Sequence, residues 1–161
     1  MIVPVTSQEA QFELTFDNFA LSGLLKRFAK QITGRSSRLQ SLTELMHHAA
    51  IENRHEVGLR TVPVHQIKGT LDRMDDFDSD FHPIREGSKD RWVRIAKALY
   101  DGKSLPPIEL IQAGDVYYVV DGHHRVSVAR AMKQRYIDAV VTVWTLRPTE
   151  VLDTCRCTYV C

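Results

Sequence analysis

The sequence predicts a mixed α/β (α+β) fold, a small mixed sheet with flanking helices, preceded by an N-terminal helical hairpin. Three observations carry that expectation. Hydrophobic periodicity changes from helical spacing in the first third to short β-branched and aromatic runs in the rest. Between Leu59 and Leu146, strand-like runs alternate with a helical stripe, and Gly102, Pro106-Pro107 and Gly114 mark the joints. A hydrophobic content of 43% with 25% charged residues is that of a soluble globular chain, and 161 residues suffice for one compact domain plus a helical piece without disulfide staples.

Taken in order, Phe12 to Phe16 alternates apolar and polar residues, yet Phe12, Phe16 and Phe19 also fit a helical stripe, so period alone leaves this segment open. Asp17 or Asn18 can cap a helix with Leu21, Leu24, Leu25, Phe28 and Ile32 on one face, and Gly34 stops it. Ser41-Leu42-Thr43-Glu44 reads as a capping box opening a second helix, with Leu42, Leu45, Met46 and Ala49 on one face, that runs to about Arg54. Two such helices form a hairpin over residues 1–57 that packs on the later domain or on a second copy, giving a homodimer. Residues 58–147 are expected as the main domain and 148–161 as a tail.

Leu59 to Ile67 reads as the first strand of that domain. Gly69 to Pro83 then has little periodicity and a dense set of carboxylates, including Asp75, Asp76, Asp78 and Asp80. A loop of this length calls for a reason. One reading gives it a divalent cation held by Asp76 and Asp78, with Asp78 also orienting an attacking group and Arg73 answering a phosphate. The other makes it a solvated acidic loop pinned by Phe77 and Phe81. Ser88 caps a helix burying Trp92, Ile95, Ala96 and Leu99, and Gly102 ends it. Ile108 to Ile111 and Val116 to Val120 form a hairpin through Ala113-Gly114-Asp115, and Ala139 to Leu146 is the last strand.

Most of the functional content sits where the second hairpin strand becomes a helix, at Asp121-Gly122-His123-His124-Arg125. Gly122 permits a tight turn, and a helix starting there offers free N–H groups and the positive end of its dipole. Two imidazoles and a guanidinium add donors, and a guanidinium can grip a phosphate with two parallel bonds. The plainer alternative makes Asp121 a helix N-cap, the histidines turn residues and Arg125 the partner of a nearby carboxylate.

Asp-Gly-His-His-Arg-Val-x-Val-Ala-Arg-Ala after a hydrophobic strand resembles the signature of the ParB/sulfiredoxin superfamily, in which a strand, a G-x-x-R turn and a helix N-terminus hold nucleotide phosphates. The resemblance extends back to Val62-Pro63-Val64-His65-Gln66-Ile67 and forward to Val140 to Trp144, roughly the second half of the chain. It implies a ParB/sulfiredoxin-like domain at 58–147, with Asp121, Gly122, His123, His124, Arg125 and Arg73 binding a nucleoside triphosphate, ATP or CTP. Magnesium would sit on Asp76 and Asp78, and His123, His124 and Asp78 would act in hydrolysis or phosphoryl transfer. The sulfiredoxin branch has G-C-H-R at the turn and uses its cysteine, whereas His123 stands here, which argues against sulfiredoxin chemistry. Partitioning ParB proteins have G-E-R-R and a helix-turn-helix domain downstream, for which the segment after Leu146 is too short.

A net charge of +1 argues against a chain that mainly coats DNA. The local cluster Lys26, Arg27, Lys30, Arg35 and Arg38 keeps nucleic-acid binding open as an alternative, and a metal-dependent nuclease of the ParB-like type is another. With no long apolar span and no leader-like start, the chain is expected in the cytoplasm, away from membranes. Cys155, Cys157 and Cys161 are too few and too terminal for a disulfide framework, and could at most form a thiolate metal site.

Overall fold

In a computed structural model, which describes residues 7–34 and 36–149, the chain forms α1 (Ser7–Ile32), β1 (Gln40–Ser41), α2 (Leu42–Met46), β2 (Ala49–Pro63), β3 (Ile67–Thr70), α3 (Lys89–Tyr100), β4 (Ile108–Ala113), β5 (Val116–Asp121), α4 (His123–Ala131) and β6 (Tyr136–Pro148). Among the described residues the strands make one six-stranded sheet in the order β1-β3-β5-β4-β6-β2. It is mixed: β3 runs parallel to β1 and β5, β4 parallel to β6, while β4–β5 and β2–β6 are antiparallel. The fold is therefore mixed α/β, as the periodicities indicate.

The helical hairpin does not form. The serine half of the capping box forms, since Ser41 Oγ accepts from the Glu44 N–H at 3.1 Å, but α2 ends after five residues. From Ala49 the chain is extended and pairs with β6 from Ala49↔Pro148 to Pro63↔Tyr136. Tertiary pairing overrides the local helical stripe: β6 carries Val140, Val141, Thr142 and Val143, and its second edge needs a partner. The anticipated division between 57 and 58 falls inside β2, so sheet structure begins earlier than expected, at β1, and the expected Leu59 to Ile67 strand is divided between the end of β2 and the start of β3. Helix α1, in contrast, is longer than expected and takes in Phe12 to Phe16.

Strand alternation fills both faces of the sheet. Ile108, Leu110, Val119, Val126, Ala139 and Val141 gather on one side with Phe77 and Phe81, while Ile111, Ala113 and Tyr118 meet Leu42 on the other. A third cluster joins the helices: Phe12 and Phe16 of α1 pack on Trp92 and Ala96 of α3 and Val128 of α4. The fully buried Trp92 spends its indole N–H on Ser127 Oγ at 3.1 Å, so the α3–α4 contact leaves no indole donor unpaired. The segment Cys155 to Cys161 lies outside the described residues, as does Arg35.

Candidate functional site at the start of the fourth helix

Strand β5 delivers the chain to Gly122, which caps α4 in the left-handed region at φ 99°. Glycine is required twice over: a side chain disfavours that φ, and a Cβ would lie 2.4 Å from Ile108 Cγ2. The cap is thus Gly122 and not Asp121, and it offers no side-chain acceptor to the helix. The first intrahelical bond is Val126 N–H to Gly122 O at 3.0 Å. Among the described residues, the N–H groups of His123, His124 and Arg125 meet no protein acceptor, leaving three donors at the positive end of the dipole.

The three side chains behave differently from one another. His123 is buried, its ring stacked on Phe77 with centroids 6.0 Å apart and its Nε2 2.7 Å from Thr70 Oγ1. Burial, then the Arg73 charge, lower its pKa to about 4. His124 stands edge-on to Phe77 at 5.2 Å and its Nδ1 is buried without a hydrogen-bond partner. Burial, then Arg91 and Arg73, hold its pKa at about 4 as well. Both imidazoles are neutral at pH 7, which removes the conflict between cationic side chains and the helix dipole. A neutral imidazole whose pKa is held down in this way is a weaker base than a free histidine.

Arg125 is committed elsewhere. Its guanidinium donates to Asp121 Oδ2 at 2.6 Å, to Pro107 O at 2.9 Å and to Pro106 O. It fastens the extended Pro106-Pro107 step to the turn, and the two-bond phosphate grip expected of it is replaced by an internal staple. Asp121, 61% exposed, serves as its partner. Arg73 is an accessible cation: its side chain is half exposed, 3.7 Å from Asp76, and its backbone N–H rests on Thr70 Oγ1 at 3.1 Å.

The acidic loop resolves in favour of internal pairing. Asp78 is buried and accepts from the Asp80 and His82 N–H groups and from His82 Nδ1, with Arg27 at 3.5 Å. Burial pushes its carboxyl up, but the bonds from His82 and Asp80 outweigh this and leave it below the ordinary value. Asp76 lies between Arg73 and Arg85, and Asp80 between Lys30 and Arg130. Among the described residues no three His, Cys, Asp or Glu side chains gather into one cluster, and Asp76 and Asp78 are each engaged by protein cations or N–H groups. Phe77 and Phe81 are buried pins of the loop. Arg27 and Lys30, part of the expected nucleic-acid surface, face these carboxylates and not solvent alone.

Thr70, Phe77 and Arg91 belong to the site through contact or charge. Phe77 stood out in the sequence only as a pin, and nothing near Thr70 or Arg91 marks them, since loop and helix reach α4 through the fold.

No family model matches this chain, and no curated protein does. Among solved structures it is similar to sulfiredoxin from Arabidopsis thaliana at 17% sequence identity and a TM-score of 0.42, over 54% of this chain and 86% of that one. That likeness concerns the course of the chain alone. No described helix is long and apolar enough to cross a membrane.

Proposed function

We propose that this chain binds a nucleotide or another phosphate ester at the N-terminus of α4. One observation carries the reading: three N–H groups and the buried Nδ1 of His124 lack partners in the same turn, under the positive charge of Arg73 and Arg91. An unpaired buried ring nitrogen is costly, and an oxyanion can accept from it, in its protonated tautomer, and from the helix N–H groups at once. A nucleoside triphosphate such as ATP or CTP suits the donor set. Its phosphates would take the N–H groups of His123, His124 and Arg125, with the imidazole of His124 and the guanidinium of Arg73 closing the sides. Gly122 allows close approach, Arg125 and Asp121 hold the turn, and His123 locks it to Thr70. A metal brought by the nucleotide would supply charge neutralisation, but no step here depends on Asp76 or Asp78.

Isothermal titration with ATP, ADP, CTP and sulfate, each with and without magnesium, tests the proposal. Binding weakened about tenfold by Arg73→Ala or His124→Ala is expected, the size of one charge-assisted hydrogen bond. Failure of every ligand to bind, or wild-type affinity in both variants, would overturn it. Sulfate sharpens the test because its charge is constant over this range: a bound anion raises the pKa of His124, so sulfate affinity should rise as pH falls towards about 4.

A further inference from the structure

Helix α1 is apolar on two opposite sides, and only one of them is covered. Phe12, Phe16 and Gly23 are buried against the body of the protein, and Phe19 packs on the His82 ring at 4.3 Å. On the other side Leu14, Leu21, Leu25, Phe28 and Ile32 are 57 to 82% exposed, with Leu24 beside them at 47%. At about 100° per residue the first five lie within roughly 40° of one line down the helix. Leu14, Leu21 and Phe28 recur every seven residues, as do Leu25 and Ile32, which is the repeat of a helix-pairing seam. Monomers rarely expose a contiguous apolar patch of this kind.

We infer that this stripe pairs with the same stripe of a second copy, the two α1 helices running antiparallel about a two-fold axis. Two features favour that occupant. The stripe leaves roughly 700 Å² of apolar side chain exposed, close to the 800 Å² or so that each partner contributes to a standard interface. An antiparallel register centred near residue 23 sets Leu14 against Ile32 and Leu21 against Leu25, while the two Asp17 carboxylates lie about 18 Å apart along the axis, where a parallel pair would set them side by side. Since the opposite side of α1 is already packed, each copy's body falls outside the seam and the contact closes as a dimer.

Analytical ultracentrifugation of the full chain over a range of micromolar concentrations tests the inference. The wild type should show twice the chain mass, and Leu25→Lys with Phe28→Ser should show one chain mass at the same concentrations with an unchanged circular dichroism spectrum. Leu14→Lys and Ile32→Glu should each shift the midpoint about tenfold towards monomer, and the double variant should recover it. A monomeric wild type overturns the inference, whether the stripe is then covered by residues 150–161, by lipid vesicles or by another protein. Dimers that ignore the Leu25 and Phe28 changes overturn it too, and so does a Leu14–Ile32 double variant without recovery.

Discussion

Two histidine-bearing turns in this protein use similar residues to opposite ends. At 78–82 an aspartate and a histidine close on each other: Asp78 collects two backbone N–H groups and the His82 ring, both residues are buried, and Arg27 of α1 lies 3.5 Å away. At 122–125 the turn opens: Gly122 brings no acceptor, three N–H groups stay unpaired and His124 Nδ1 lacks a partner. A carboxylate and an imidazole side by side therefore say little about chemistry until their hydrogen bonds are counted. The satisfied turn is a clamp, and the unsatisfied one is where a ligand has something to gain.

The comparison breaks first at Asp78. Asp78→Ala strips partners from the buried His82 N–H and imidazole, the part-buried Asp80 N–H and a guanidinium, and should cost about 3–5 kcal/mol in urea unfolding while leaving ligand affinity of the folded protein intact. A cost near zero would mean the clamp is not a clamp. Gly122→Ala comes next: the left-handed φ and the approach to Ile108 should together cost about 2–3 kcal/mol, with anion binding lost because the turn must shift.

Acid separates the two turns more gently. The pKa values of His123 and His124 fall from 6.5 unfolded to about 4 folded, so their contribution is complete above about pH 6.5 and is lost as pH drops towards about 4. Stability should decline by on the order of 2 kcal/mol between about pH 7 and about pH 4.5, and His124→Gln should flatten the slope. Asp78, shifted downwards, adds its own loss only below its ordinary value of 3.8. The smallest effect distinguishes two arginines of the open turn. Arg125→Ala should lower stability by about 1 kcal/mol through the freed Pro106-Pro107 step, whereas Arg73→Ala should change stability by under about 0.5 kcal/mol and act on anion affinity. Equal stability losses in the two would contradict the division of labour drawn from their contacts.

Much of the main domain was legible because its signals are local. The Val116 to Val120 run, Gly122, the helix behind it and the Trp92 stripe each specify an element through neighbours in sequence. The same locality misled at Leu42 to Arg54, where a capping box and a helical stripe are present but β6 claims the chain from Ala49 onward. In the site, Gly122 and His124 were recognisable as members of a strand-to-helix turn. The commitment of Arg125 to Asp121 and two proline carbonyls was not, because Pro106 and Pro107 are far away in sequence.

By itself the sequence determined where the chain turns and which residues start α4, since backbone freedom at Gly122 and the period of the apolar residues are properties of short segments. Only the tertiary structure decided which polar groups are satisfied. Hydrogen bonding and burial are settled by residues brought together across the fold, such as Thr70 against His123 and Arg27 against Asp78. A donor left without a partner is a property of that assembly and not of any stretch of chain.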